Sequence, residues 1–392
     1  MNMESPISSQ GATPEEEQMI LDTVEKFLEA EVKPYVHQLD HDDEYPQAIV
    51  DKMKELGFFG LMIDPEFGGF GISTLTYARI IEKISAVWMS VSGIINSHMI
   101  MAMTVQRCGT EEQKAHYLPK FATGELRGGV GLTEPDAGTD LQNIRTVAKR
   151  EGDEYVVNGN KMWITNSGSG NCILLLVKTD PTAEPRHKGM SLLIAEKGPG
   201  FVVSKKLEKL GYKGIDSCAL AFEDYRVPVE RLVGGVEGKG LKQVLGGLEL
   251  GRINVAARGL GIAQAALNEA VAYSQTRKTF GKPICEHQAI QLKLGEMATR
   301  VTAARLLTEN AAMAYDRGER CDMEAGMAKF FATEAGLENA TEAMRIFGGY
   351  GYSKEYPIER LYRDAPLLTI GEGTNELQRI IIAKQIIARN PA

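Results

Sequence analysis

Leu21, Val24, Leu28 and Val32 recur at helical spacing behind Thr13, Pro14 and Glu16, a start with the form of a capping box and a proline at the first helical position. The pattern predicts that the chain opens with a helix. Pro46 to Leu56 reads as a second helix stopped by Gly57, the uncharged stretch around 84–106 as a third, and Glu111 to Phe121 as a fourth. Near Gly128 the pattern changes. Tyr155-Val156-Val157, an Asn158-Gly159 turn and Met162-Trp163-Ile164 give a hairpin signal, and CILLLV and SLLIAE are short apolar runs suited to strands. After Val227-Pro228 and the turn-rich GGVEGKG, helical patterning returns in four long stretches, roughly 241–275, 287–317, 322–347 and 374–388.

This α, β, α order lacks the alternation of strands and helices that a dinucleotide-binding parallel sheet requires. The glycines at 168 and 170 have no third partner to complete GxGxxG, and GGVEGKG has neither P-loop spacing nor a Ser or Thr after Lys239, so both read as turns.

At 392 residues the chain exceeds what one core serves, since domains run to about 150 residues. With 43% hydrophobic and 24% charged residues it falls in the soluble globular class, and its net charge of −8 argues against a nucleic-acid partner. The cysteines (Cys108, Cys172, Cys218, Cys285 and Cys321) are odd in number and never in a CxxC pair, which indicates neither a disulfide framework nor a zinc site. His37 and His41 share a helix face but lie in acidic HQLDHDDE, so no metal is expected. The N-terminus resembles neither a secretory signal nor a transit peptide, and a cytoplasmic protein is expected. Between Lys83 and Arg107 no charge occurs, yet Ser90, Ser92, Asn96, Ser97, His98 and Thr104 interrupt the run, which favours a buried helix over a membrane span.

Five segments carry candidate chemistry: GLTEPDAGTD at 131–140, KMWITNSG at 161–168, RKTFGKPICEHQAIQ at 277–291, RIFGGYGY at 345–352 and GEGTNELQR at 371–379. Together, in this order and spacing, they resemble the acyl-CoA dehydrogenase family of flavoproteins over residues 14–388. The resemblance implies an α+β multidomain fold with an N-terminal helical domain (1–125), a central β-barrel (126–236) and a C-terminal four-helix bundle (237–392). It implies FAD as cofactor, an acyl-CoA substrate, an electron-transferring flavoprotein as acceptor, and a homotetramer arranged as a dimer of dimers.

Read physically, Val130 to Thr139 offers backbone groups and the Thr133 and Thr139 hydroxyls to a polar heterocycle, while Trp163 can lie against an aromatic face to which Thr165 can donate. The resemblance extends the flavin contacts to Val130, Leu132, Ile164, Thr374 and Glu376. It also implies that one subunit clasps the FAD of its neighbour, with Arg277 and Thr279 at the pyrophosphate and Phe280 and Gln288 on the adenosine side. Gly348 and Gly349 let backbone approach the pyrophosphate with no Cβ in the way. Arg345 stands where many relatives have Gln, and a guanidinium suits phosphate.

By the same resemblance Glu372 is the base that removes the α-proton of the acyl-CoA while the β-hydrogen leaves as hydride to flavin, giving a 2,3-enoyl-CoA. The thioester carbonyl is then polarised by the Glu372 backbone N–H and a ribityl hydroxyl. A dry pocket should raise the carboxyl pKa. Relatives that place the base on the preceding helix do so at the position that is Gly251 here, which leaves Glu372 as the candidate. Glu249, Arg252, Thr139, Gly371 and Gly373 complete the substrate contacts. Gly371, where straight-chain relatives carry Tyr, leaves room for a branched, cyclic or aromatic acyl group. A dicarboxylyl substrate is disfavoured, because the helix through Val91 has no Lys or Arg from Ile84 to Gln106 and an unpaired carboxylate is costly to bury. Three alternatives use the same scaffold: an enoyl-CoA reductase, a flavin oxidase or monooxygenase, and a non-catalytic acyl-CoA-binding protein.

Overall fold

The computed structural model describes residues 11–391. Helix α1 (Pro14–Phe27) begins where the sequence indicates: the Thr13 hydroxyl accepts from Glu16 N–H, and the Glu16 carboxylate accepts from Thr13 N–H. Helices α2 (Val36–His41), α3 (Gln47–Glu55), α4 (Thr74–Cys108) and α5 (Glu111–Thr123) complete the N-terminal part. The uncharged stretch belongs to a longer helix than its pattern marks. The Ser73 hydroxyl and the Asp316 carboxylate satisfy the first N–H groups of α4, so the helix starts ten residues earlier than the apolar run. Trp88 interrupts α4 with φ −155° and ψ 107°. The α4 segment is apolar enough to cross a membrane by composition alone, but it is mostly buried as the core helix of this fold.

Seven strands follow: β1 (Gly128–Gly131), β2 (Val147–Glu151), β3 (Glu154–Thr165), β4 (Cys172–Lys178), β5 (Met190–Glu196), β6 (Phe201–Lys206) and β7 (Ser217–Pro228). They form one curled sheet in the order β1-β4-β2-β3-β7-β6, with β5 also paired to β4. CILLLV and SLLIAE are β4 and β5, antiparallel partners that are almost wholly buried.

The Asn158-Gly159 turn does not exist. β3 runs straight through it, pairing with β2 on one side and β7 on the other, and the hairpin turns instead at Gly152, where φ is 65°. Gly159 is there because Thr146 crosses close by: a Cβ would lie 2.6 Å from the Thr146 Cα. Asn158 serves as a cross-strand partner, exchanging hydrogen bonds with Asp224.

The C-terminal part contains α6 (Gly240–Thr276), α7 (Gln288–Asp316), α8 (Asp322–Phe347), α9 (Ile358–Ile370) and α10 (Asn375–Arg389). α8 packs against each of the other four. The sequence pattern does not mark α9, because Pro366 falls inside it and a proline within a helical pattern reads as a break. α9 nevertheless positions the candidate base, since Glu372 lies in the turn between α9 and α10.

Candidate active site

α9 ends on Gly371, Glu372 turns the chain with φ 55°, Gly373 comes next at φ 88°, and the Thr374 hydroxyl caps α10 by accepting from Leu377 N–H. The turn is anchored from behind. Arg363 on α9 binds the buried Asp40 carboxylate at 2.6 Å, and Asp364 accepts from the Tyr212 backbone N–H at 2.6 Å. Burial and the nearby Asp40 charge push Asp364 up to about 7.

The Glu372 carboxylate faces α4 and α6. Asn96 on α4 donates to its Oε1 at 2.5 Å, and the Arg258 guanidinium on α6 lies 3.6 Å from the same oxygen. Oε2 is shut off from solvent and has no hydrogen-bond partner among the described residues. Desolvation raises the Glu372 pKa above the usual carboxylate range, with Arg258, Asn96, Lys329 and Arg252 opposing. The Glu372 backbone N–H donates to no acceptor among the described residues. A carboxylate with one oxygen held and the other free, beside an unpaired N–H, can take a proton from carbon while the N–H receives the adjacent carbonyl.

α6 supplies the wall opposite. Gly251 is packed so closely that a Cβ would sit 2.1 Å from Glu372 Oε2. One and two turns onward, the Asn254 amide accepts from Arg258 Nε at 2.9 Å and donates to the Tyr77 hydroxyl at 3.0 Å. The Tyr212 hydroxyl lies 3.4 Å from Arg258 Nη1, in space that only a glycine at 93 leaves open: a Cβ there would be 1.7 Å from that oxygen. Sequence reasoning missed Asn96, Asn254, Arg258 and Tyr212, and it looked for a cation near the acyl pocket on α4 alone. The i, i+3/i+4, i+7 spacing of Gly251, Asn254 and Arg258 puts them on one face of α6 and could have marked them. Lys329 was also missed; it is buried, donates to Asn375 Oδ1 at 2.8 Å, and burial lowers its pKa to about 8.

Arg252 extends from α6 towards Asp322 at 3.6 Å, with its Nε and Nη1 making no hydrogen bond among the described residues. Glu249 beside it is pushed up to about 7 by burial and by the Asp322 carboxylate.

The β segment brings its two motifs together through a buried ion pair. Lys161, with no exposed side-chain surface, donates to Glu134 at 2.8 Å and to the Leu132 carbonyl at 3.0 Å. Glu134 in turn accepts from the Arg145 and Thr146 N–H groups, and Met162 N–H donates to the Thr133 carbonyl at 2.8 Å. Trp163 sits at the β3/β7 bulge with φ 65° and is 55% exposed, so its indole is offered outward. Leu132 and Ile164 are buried and Val130, Thr133 and Thr165 half-buried, whereas Thr139 is exposed.

Arg277, Thr279, Gly348 and Gly349 line one cavity of about 540 Å³ together with Tyr273 and Phe347. Gly348, at φ 62°, closes α8 there, and a Cβ on either glycine would meet nothing within 4 Å. The cavity draws on the C-terminal part of the chain alone. Phe280, at φ 50°, is 97% exposed, and Gln288 at the start of α7 opens on a separate groove of about 720 Å³. Arg345 is exposed and bound to Glu342, outside the cavity lining. Glu376 is exposed in the first turn of α10. A guanidinium, a hydroxyl and bare backbone around an open cavity fit a pyrophosphate, and an outward indole fits an aromatic ring system, so the residues suit a dinucleotide flavin.

His41 binds Glu359 at 3.0 Å within a group that includes Asp40, but Arg363 already engages both carboxylates.

Three segments match family descriptions in sequence: "Acyl-CoA dehydrogenase, N-terminal domain" over 14–125, "middle domain" over 129–225 and "C-terminal domain" over 238–387. An acyl-CoA dehydrogenase of Bacillus subtilis is 40% identical over 375 residues, 95% of this chain and 98% of that one. A 3-(aryl)acrylate reductase of Clostridium sporogenes is 40% identical over 376 residues, 95% of this chain and 99% of that one. The structure of butyryl-CoA dehydrogenase from Megasphaera elsdenii superposes with a TM-score of 0.92 at 36% identity, covering 97% of this chain and all of that one.

Proposed function

The chain belongs to the acyl-CoA dehydrogenase family of FAD-dependent oxidoreductases, and from that premise we propose that Glu372 is its base, removing the α-proton of an acyl-CoA to form a 2,3-enoyl-CoA. The observation that carries this is the Glu372 carboxylate: Oε1 is held by the Asn96 hydrogen bond with the Arg258 charge 3.6 Å away, while Oε2 is buried and unpartnered among the described residues. Oε2 takes the proton. The raised pKa brings the base nearer in strength to the polarised α-carbon acid, and Arg258 keeps it ionised enough to act. The Glu372 N–H receives the thioester carbonyl and stabilises the charge that develops on it. FAD, when bound, accepts the β-hydrogen with its electron pair.

In this reading Trp163, Thr165, Ile164 and the Val130–Thr139 run, including Leu132 and Thr133, face the flavin ring, and the Lys161–Glu134 pair holds those two segments together. Thr374 and Glu376 lie on the flavin side of the catalytic turn. Arg277, Thr279, Gly348 and Gly349 receive the pyrophosphate, with Phe280 and Gln288 on the adenosine. Because the cavity they line includes none of the β segment, it serves the FAD of a neighbouring subunit, which supports a homotetramer built as a dimer of dimers. A phenyl ring 97% exposed in the single chain is the kind of side chain that such a partner would cover. Arg345 lies at the edge of that site. Arg252, Glu249 and Thr139 line the thioester and pantetheine end. The three units are 1–125, 126–236 and 237–392, the acceptor is an electron-transferring flavoprotein, and the protein works in the cytoplasm.

The acyl group carries a branch or ring next to the thioester. Among the described residues, Gly371, at φ −66°, has only Leu367 near its missing Cβ, which leaves the space where a side chain would begin largely unfilled. Relatives named for straight-chain and for aryl substrates are both close in sequence, so the pocket and not the likeness carries this point. The reverse reaction, reduction of an enoyl thioester with Glu372 delivering the proton, uses the same groups, and the aryl-acrylate reductase relative favours it. A panel of acyl-CoAs mixed anaerobically with the yellow holoenzyme tests the reading. Bleaching by branched or cyclic thioesters supports it; no bleaching by any saturated acyl-CoA leaves the reductase direction.

A further inference from the structure

Arg258 is 4% exposed, yet its five N–H donors are poorly used. Nε donates to Asn254 at 2.9 Å; Nη1 reaches only the Tyr212 hydroxyl, at 3.4 Å; and Nη2 lies 3.6 Å from Glu372, beyond hydrogen-bond distance. A buried guanidinium with both terminal nitrogens so weakly engaged is rare in a folded protein. Building it here took several concessions. Glycine at 93 makes room for the Tyr212 ring, Tyr212 adopts φ 55°, and Asn254 and Tyr77 orient the Nε edge from behind. The Nη edge is thereby left facing the Glu372 carboxylate, the group that meets the acyl α-carbon.

Resting on the acyl-CoA dehydrogenase reading above, we propose that the Nη edge of Arg258, with the Tyr212 hydroxyl, is a subsite for a carboxylate carried by the acyl group, so that the substrate is a short, branched dicarboxylic acyl-CoA. The distances agree. An α-carbon in reach of Oε2 lies about 3–3.5 Å from it, and the two oxygens of a carboxylate are about 2.2 Å apart. Nη2 stands 3.6 Å from Oε1 of the Glu372 carboxylate, a span of the order that two or three bonds beyond the α-carbon cover. A carboxylate presents two acceptors to that edge, the bidentate geometry in which arginine binds best. A hydrocarbon in the same place would leave the guanidinium desolvated with nothing gained. α4 contributes no cation over 84–106, so the charge that a dicarboxylyl substrate needs comes from α6 instead. Its proximity to Glu372 also explains how one arginine serves both ends: it draws Oε1 aside when the pocket is empty and meets the substrate carboxylate when it is full.

The test compares 2-methylsuccinyl-CoA with its neutral isostere 2,4-dimethylpentanoyl-CoA, and succinyl-CoA with 4-methylpentanoyl-CoA. Binding to FAD-loaded Glu372→Gln enzyme, which does not turn over, is read by calorimetry. The carboxylated member of each pair should bind about 10- to 100-fold more tightly, the range of one charge-assisted hydrogen-bonded pair. The preference should vanish in Glu372→Gln/Arg258→Gln and weaken in Glu372→Gln/Tyr212→Phe, which serves if the arginine variant loses its FAD. Equal binding, or tighter binding of the isosteres, overturns the subsite. If the neutral thioesters then still bleach wild-type flavin, the dehydrogenase reading survives that result; if no thioester of either kind binds or bleaches, both fall.

Discussion

A Cβ on Gly251 would stand 2.1 Å from Oε2 of Glu372, far inside the contact distance of a carbon and an oxygen that are not bonded. Helix α6 therefore has to be bare at this one position for the carboxylate from the α9–α10 turn to enter the site. The same fact explains why a base at 251 and a base at 372 are alternatives: both would claim the same space. Gly251→Ala should displace the Glu372 carboxylate by roughly an ångström and slow flavin reduction about 10²-fold while leaving FAD bound. Anaerobic stopped-flow measurement checks it; an unchanged rate would mean that Oε2 is not where the proton goes.

The pH dependence should follow the surroundings of Glu372. Burial raises its pKa, and the Asn96 hydrogen bond lowers it. The base acts ionised, so dehydrogenation is lost as pH falls through the pKa in the loaded enzyme. Asn96→Leu removes a bond that favours the charged form, so the acidic limb of the rate profile should move to higher pH. A profile unmoved by this change would detach the titrating group from Glu372.

Lys161 and Glu134 are a buried pair whose loss is expected to be felt in stability. Lys161→Met leaves the Glu134 carboxylate buried with only the backbone N–H groups of Arg145 and Thr146. Denaturation should show a loss of about 3–5 kcal/mol, with weaker FAD retention because the 131–140 segment loses its tie to β3. Full stability in the variant would show that the pair has no such role.

Much of the fold is legible in the sequence and some is not, for reasons that particular residues make plain. The helix starts at Thr13 and around Glu111 and the strands β4 and β5 are local signals, and local signals survive in the fold. Asn158-Gly159 has the strongest short-range turn signature in the chain, yet β2 and β7 flank it on both sides and their pairing overrides it. Pro366 hides α9, because a missing N–H is tolerated where tertiary packing against α8 holds the helix. The motifs locate the residues assigned to the flavin and the turn bearing Glu372. They do not include Asn96, Arg258 or Tyr212, which come from three distant stretches and meet only in the fold; of these, Arg258 alone carries a sequence signal, its helical spacing from Gly251.

Gly371 offers a test of the acyl pocket. Its φ of −66° suits any side chain, and the nearest atom to a Cβ there is the Leu367 carbonyl oxygen at 3.4 Å, so Gly371→Tyr should fold. The ring should exclude branched and cyclic acyl-CoAs while short straight chains are tolerated, shifting the kcat/KM ratio by about tenfold or more. A wild type that already prefers butyryl-CoA to branched thioesters would refute the open pocket beside Gly371 without touching the chemistry.

The central claim is that Glu372 moves the proton, and Glu372→Gln addresses it most directly, since the amide keeps the shape and removes the basic oxygen. With FAD occupancy and acyl-CoA affinity measured on the same preparation, the rate of anaerobic flavin reduction by the best substrate should fall about 10²- to 10⁴-fold. Flavin reduction at the wild-type rate, with substrate and FAD bound as before, would contradict it.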